Sequence, residues 1–435
     1  MTPAPTPTPT GTRTFLPTGL RPLAIIQAGG QGSRLDVLTR ERAKPALPFA
    51  ATHALVDFPL SSLAASGIVD VWVSVQYQSS SLDAYLAGGR PWDLDRTRGG
   101  FRRITPEQGS GSAHAEGFSH GNADNLFRLR DDVRVFDPDV LLVLSSDHVF
   151  NLDLQPVIAR HLERGAECTL VTAEVGVQEA AHNMVVHADP DGRVRKVQDK
   201  PGETSIGTVA TEIFLYDPGV LLTELERLHR ELSGSTGEGV PAAGEADAED
   251  TGLGDFGSLL VPALVERGKV WAEPITGYWK DVGRPQAYLQ AHRDLLAGRV
   301  DVFDRPDRPV LGPTPVGPPA RVRAGAEVED SMLGPGADVR GRVVRSVLGP
   351  GVRVDAGAVV EDSVLLSGVH VEAGARVHTA VVDRGSVVGR DATIGGAPAG
   401  TRLTDEAITL VGRDSRVGRG VTIDAGARLE PGTTA

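Results

Sequence analysis

The sequence predicts an α/β domain with a mixed sheet, followed in series by a parallel β-helix. Two textures predict this. From about residue 20 to about residue 300, apolar strand-like runs alternate with helix-like segments, the pattern of a sheet covered on both faces. Beyond residue 320, Val322, Val328, Leu333, Val339, Val344 and Leu348 open a series of aliphatic residues about five or six apart, which runs to Ile394. Gly325, Gly336, Gly351, Gly357 and Gly374 mostly fall between them, as expected where coils turn and stack apolar residues inward. An antiparallel sandwich would instead need period-two alternation and hairpin turns.

Taken in order, residues 2–10 alternate Thr and Pro without the basic and apolar regions of a signal peptide, so 1–19 reads as a disordered tail. The run Leu23-Ala24-Ile25-Ile26-Gln27 is a buried strand. Residues 69–75, 140–144, 168–173 and 212–216 are further strands, and 193–199 is a charged one. Helices are predicted at 61–66, 80–87, 154–164 and 218–232. The glycine-rich, acidic stretch 233–250 has almost no large apolar residues and reads as a mobile insertion. These elements complete a first domain at 20–300. Residues 301–320 form a linker, stiffened by six prolines between 305 and 320, and 321–435 form the repeat domain. Residues 401–411 interrupt the repeat before 417–429 resumes it.

A chain of 435 residues suits two domains, since single cores seldom exceed ~250–300 residues. Its net charge of −13 argues against a general nucleic-acid or anionic-membrane binder. No stretch approaches the roughly 18 apolar residues of a membrane span. The single cysteine, Cys168, excludes an internal disulfide and a Cys-cluster zinc site, and its strand-like setting suggests a buried, inert thiol. The cytoplasm is the expected location.

The strongest functional signal is Ala28-Gly29-Gly30-Gln31-Gly32-Ser33-Arg34-Leu35, with Lys44-Pro45 nine residues on. Gly29, Gly30 and Gly32 permit a sharp turn that aims backbone N–H groups at an oxyanion, and Arg34 and Lys44 add full positive charges. A nucleoside triphosphate suits such a loop. It is neither Gly-x-x-x-x-Gly-Lys-Ser/Thr nor Gly-x-Gly-x-x-Gly, because Leu35 stands at the third glycine position. Asp147 ends an apolar strand, where open α/β sheets present ligand-contacting groups. With Asp281, in Tyr278-Trp279-Lys280-Asp281-Val282-Gly283, it supplies the two carboxylates of an octahedral Mg²⁺ environment. Taken alone, Asp147 reads equally as a strand-end cap, Lys200 as a solvated edge charge and Gln76 as a helix cap.

These motifs, with Arg42-Ala43-Lys44-Pro45-Ala46, Gln76-Tyr77-Gln78-Ser79, Asp147-His148, Asp199-Lys200-Pro201 and Asp255-Phe256-Gly257, resemble the ADP-glucose pyrophosphorylases of the sugar-nucleotide transferase superfamily. The likeness runs in order from about residue 22 to about residue 300 and on through the repeats. It implies a Rossmann-like αβα nucleotidyltransferase domain and a left-handed β-helix. The implied reaction joins ATP and α-D-glucose 1-phosphate into ADP-glucose and pyrophosphate, with Mg²⁺, in a homotetramer. Carried over, Gly29, Gly30 and Gly32 cradle the triphosphate, while Arg34 and Lys44 neutralise the leaving pyrophosphate. Gln76 reads the adenine edge, with Gly121 opposite. Asp147 and Asp281 hold the metal, and Lys200 binds the sugar phosphate.

The chain departs from the family around the sugar. Met184 and Glu212 stand where the family has glycines, Ser146 precedes Asp147 in place of glycine, and His120 replaces an arginine. Glu41 stands where relatives carry a basic residue associated with an anionic activator, which implies weak activation by fructose 1,6-bisphosphate. Another sugar 1-phosphate, as in a GTP and mannose 1-phosphate enzyme, or a weakly active regulatory subunit beside a paralogous partner, are the alternatives.

Overall fold

The computed structural model describes residues 17–29, 32–106, 119–234, 251–303, 305–396 and 403–435. Gly30, most of the expected tail and the expected insertion from residue 235 lie outside the described residues. The first domain is built on β1 (Pro22–Ala28), β2 (Asp70–Val75), β3 (Phe101–Ile104), β4 (Val140–Ser145), β5 (His148–Phe150), β6 (Cys168–Glu174), β7 (Met184–Ala188), β8 (Val194–Asp199), β9 (Thr208–Tyr216), β10 (Val270–Pro274) and β11 (Trp279–Asp281). The main sheet runs β8-β7-β9-β4-β1-β2-β3, with β6 joined to β9 and β10 to β6.

β1 is central and parallel to both neighbours, pairing Ile25 with Trp72 and with Val143. Its side chains alternate between two cores, Ala24 and Ile26 entering one and Leu23 and Ile25 the other. That is why the strand reads as a continuous apolar run rather than an alternating one. β9 runs antiparallel to β4, β6 and β7, which makes the sheet mixed. Its pairing with β6 slips between Ala210 and Phe214, a bulge whose middle residue Glu212 has φ +55°.

Four helices follow the predicted sites with shifted ends, α1 (Asp57–Ala65), α2 (Ser79–Leu86), α4 (Gln155–Glu163) and α5 (Pro218–Gly234), while α3 (Asn122–Arg128) and α6 (Pro285–Leu296) stand where none was predicted. α1 starts earlier than its apolar pattern because the buried Asp57 carboxylate accepts the Ala54 N–H at 3.0 Å. The proline-rich stretch lies along this domain. Ser61 Oγ takes the Leu311 N–H at 2.8 Å, and Trp92 Nε1 donates to the Leu311 carbonyl at 3.0 Å.

The repeat domain is a left-handed β-helix of three six-stranded parallel sheets. Val339, Val354, Val371, Val388 and Val417 form one inward ladder. Val322 and Val328, predicted as inward, are exposed in the first coil, which has no coil beneath it. The predicted break at 401–411 is too long: Thr409–Val411 pairs with Ala380–Val382 in the third sheet. Val411, 1% exposed, takes the inward place of the repeats, while the fully buried Leu410 faces the first domain.

The two domains share a core. Leu35, Leu38 and Phe58 with Tyr288 and Leu289 of α6 pack on Val347, Val364, Val381 and Leu410. Arg42 forms a buried two-bond pair with Asp383, and Arg293 pairs with Asp362. Among the described residues, no helix is long and apolar enough to cross a membrane.

Candidate active site

β1 delivers Gly29 to the edge of the sheet, and the chain re-enters at Gly32 with φ +67°. A Cβ on Gly32 would lie 3.1 Å from Lys44 Cβ and 3.2 Å from Thr39 Cγ2, so glycine lets the loop close on the lysine segment. Arg34 is exposed and lines a cavity of about 860 Å³ together with Asp281, Gly283 and Lys280. Lys44 follows the extended Ala43 and precedes Pro45 in a short 3₁₀ turn, and it is buried. Its ammonium donates to Asp147 and lies 4.0 Å from Asp281.

The two carboxylates meet because β5 and β11 form an antiparallel ribbon in which His148 pairs with Asp281. Asp147, one residue before β5, accepts from the Ser145 hydroxyl as well as from Lys44. Asp281 accepts the Gly283 N–H at 2.8 Å. A Cβ on Gly283 would stand 2.9 Å from the Lys44 ammonium, so glycine leaves the cation its place.

His148 is buried, with Nδ1 3.0 Å from the Thr211 carbonyl and its ring edge-on to Trp279 at 5.3 Å. Nε2 faces Asp147 at 3.6 Å and Asp281 at 3.8 Å. Potential donor atoms of Asp147, His148 and Glu212 all lie within 4.8 Å of one another.

Burial works against every charge here, and the neighbours decide each outcome. It opposes the Lys44 ammonium, but Asp147 and Asp281 outweigh it and hold the pKa above the ordinary lysine value. It opposes the Asp147 carboxylate too, yet Lys44, His148 and the Ser145 hydroxyl pull that pKa well below the usual range. It disfavours the His148 imidazolium, but the carboxylates of Asp147, Asp281 and Glu212 raise its pKa. Glu212 is raised by burial and by the like charges of Asp147 and Asp281, which His148 only partly offsets.

The remaining predicted residues are placed less simply. The Gln76 amide is engaged with Ser119, accepting its N–H at 2.9 Å and donating to its hydroxyl. Gly29 faces Gln76 so closely that a Cβ would lie 2.6 Å from Nε2. Gly121 has φ +118°, and the backbone of Gly254 fills the space a Cβ would need, at 2.3 Å; its glycine serves loop packing. Lys200 lies 4.0 Å from Asp199 and 3.9 Å from Asp255. It lines a cavity of about 40 Å³ with Met184, Glu212 and Phe256. The structure therefore gathers Arg34, Lys44, Asp147 and Asp281 around one centre and puts Lys200 on an adjoining cleft. Glu41 faces Arg413 of the β-helix at 3.4 Å.

Sequence reasoning missed His148 as a member of the cluster. Its only signal was adjacency to Asp147, since the orientation of the ring depends on Thr211 and Trp279.

The nucleotidyl transferase family matches residues 23–298, and the family described as GlmU-like, C-terminal hexapeptide matches 318–411. The glucose-1-phosphate adenylyltransferase of Bacillus licheniformis is 33% identical over 329 residues, 75% of this chain and 81% of its own. That of Bacillus thuringiensis is 31% identical over 407 residues, 93% and 98% of the two chains. That of Bacillus subtilis is 32% identical over 329 residues, 75% and 81%.

Proposed function

We propose, for a chain that belongs to the nucleotidyl transferase family and within it to the glucose-1-phosphate adenylyltransferases, that it transfers AMP from ATP to α-D-glucose 1-phosphate. The products are ADP-glucose, an activated glucosyl donor for α-glucan synthesis, and pyrophosphate. The observation that carries this reading is the meeting of Lys44 with Asp147 and Asp281 beside the glycine loop, with Arg34 on the same cavity.

A phosphate oxygen of the sugar phosphate attacks the α-phosphorus of ATP, and the bond to the bridging oxygen of pyrophosphate breaks. Lys44 and Arg34 hold the charge that gathers on the leaving group, while the glycine-loop N–H groups fix the triphosphate in line. Lys200 grips the sugar phosphate and Gln76 meets the adenine edge once it leaves Ser119. No side-chain nucleophile takes part. Asp147 and Asp281 are hard oxygen donors that fit Mg²⁺, which when bound supplies charge neutralisation to the phosphates.

Met184 and Glu212, where the family has glycines, line the cavity of about 40 Å³ beside Lys200. That observation favours a second reading, in which another sugar 1-phosphate is the preferred acceptor. The domains at 20–300 and 321–435, a homotetramer and a cytoplasmic setting complete the proposal. Sedimentation of the purified protein reads the assembly.

Pyrophosphate release across a matrix of nucleoside triphosphates and sugar 1-phosphates tests the reaction. The expected result is highest turnover with ATP and glucose 1-phosphate. Turnover with GTP and mannose 1-phosphate alone, or with no pair, overturns it.

A further inference from the structure

We propose that Asp147, His148 and Glu212 form a site for a borderline divalent ion of the Mn²⁺, Co²⁺ or Zn²⁺ type, which recruits an imidazole nitrogen that Mg²⁺ does not seek. The inference rests on the adenylyltransfer reading for its setting, because the ion shares Asp147 with the pair assigned to Mg²⁺.

The donor set comes first. One oxygen of Asp147, a ring nitrogen of His148 and one oxygen of Glu212 lie within 4.8 Å of one another, close enough for one ion to draw them together. Imidazole with carboxylate suits Mn²⁺, Co²⁺ and Zn²⁺, whereas Mg²⁺ favours oxygen alone.

His148 supplies the second observation. Its residue is only 4% exposed, and its Nδ1 lies 3.0 Å from the Thr211 carbonyl. A carbonyl only accepts, so Nδ1 carries the hydrogen and, in the neutral ring, the Nε2 lone pair points into the cluster. The nearest carboxylate oxygens stand 3.6 and 3.8 Å from Nε2, beyond hydrogen-bond distance. A backbone carbonyl that fixes the tautomer is the usual outer partner of a metal-binding histidine. The edge-on contact with Trp279 holds the ring plane.

Glu212 supplies the third. It occupies a left-handed backbone position, φ +55°, at the β9 bulge, where any residue other than glycine costs roughly 1–2 kcal/mol. Among the described residues no hydrogen bond satisfies its carboxylate, although it lies beside Asp147 and His148. The cluster is reachable through Glu212, and its neighbour Asp281 opens on a second cavity. Asp281 opens on the cavity of about 860 Å³ and Glu212 on that of about 40 Å³.

The test uses the full chain stripped with EDTA and titrated with Co²⁺ by visible absorption and calorimetry, in the presence of excess Mg²⁺. One Co²⁺ per chain should bind, with His148→Gln changing the ligand-field band. His148→Gln and Glu212→Gly should each weaken Co²⁺ about tenfold or more. Glycine adopts positive φ freely, so Glu212→Gly keeps the fold, and a thermal melt no lower than wild type verifies it. Co²⁺ affinity unchanged in Glu212→Gly, or an unchanged band in His148→Gln, overturns the site. Pyrophosphate release with Mg²⁺ separates the two readings. Turnover together with unchanged Co²⁺ affinity in both variants overturns the ion site alone. A Co²⁺ site sensitive to both variants, without turnover on any substrate pair, upholds the ion site and overturns the adenylyltransfer reading.

Discussion

Replacing Arg42 with methionine should loosen the joint between the two domains by far more than a surface mutation would. Arg42 and Asp383 are 8% and 1% exposed, and the guanidinium makes two bonds to the carboxylate, at 2.8 and 3.1 Å. Burial pushes the Asp383 carboxyl above its ordinary pKa, and Arg42 only partly pulls it back. Desolvation therefore outweighs the attraction, and the pair is no strong source of stability by itself. Its rupture is different. Arg42→Met leaves the buried Asp383 carboxylate without its paired cation and with the Arg384 N–H at 2.6 Å still donating to it, a loss of about 3–5 kcal/mol. The double variant Arg42→Met/Asp383→Leu removes both charges and should recover most of that loss. Urea unfolding followed by far-ultraviolet circular dichroism reads the midpoints. A raised carboxyl pKa favours the folded state as pH falls towards it, so Arg42→Met should be destabilised less at pH 5 than at pH 8. Because Arg42 lies two residues before Lys44, turnover should fall with stability. A single variant within about 0.5 kcal/mol of wild type at pH 8, or a double variant less stable than either single one, refutes the reasoning.

Asp147→Asn should lower kcat for pyrophosphate release by about 10²–10³ with an unchanged circular-dichroism spectrum; near-wild-type turnover removes Asp147 from the mechanism. Lys200→Ala should raise KM for the sugar phosphate about tenfold or more and leave KM for ATP nearly unchanged, as steady-state kinetics with each substrate varied would read. Gly121→Ala combines φ +118° with a Cβ 2.3 Å from Gly254, so chemical denaturation should report a loss of about 2 kcal/mol or more. The Lys44–Asp147 pair has opposite signs at its two ends. The depressed Asp147 pKa gives stability present above the unfolded carboxylate pKa and lost as pH falls, and the raised Lys44 pKa gives stability present below the unfolded lysine pKa and lost as pH rises. The stability difference between wild type and Lys44→Met should therefore shrink below about pH 4, as unfolding at stepped pH would show.

The strands were legible because a doubly covered sheet demands unbroken apolar runs, and β4 and β1 supply them. The hexapeptide spacing disclosed the β-helix for the same reason, since each coil must fill its interior at fixed intervals. Element ends were harder to read. Asp57 looks like loop sequence, yet it begins α1 because Ala54 and His53 both bond one oxygen, Oδ2, of its buried carboxylate. Thr409–Val411 looked like part of an interruption, because its partner Ala380–Val382 lies a whole coil away. In the site, Lys44 and Asp147 were legible from loop and strand-end chemistry. The meeting of Asp281 with Asp147 was legible as a two-carboxylate metal pair, but the β5–β11 ribbon that brings them together was not. The poise of Glu212 was invisible, because it arises from a register slip between β9 and β6 that only their pairing creates.

The most direct measurement follows the α-phosphorus. With α-labelled ATP, glucose 1-phosphate and Mg²⁺, the label should appear in a sugar nucleotide in step with released pyrophosphate, and Lys44→Met should slow both together. Label recovered as free AMP, or pyrophosphate released without a labelled sugar nucleotide, would contradict direct transfer in this pocket.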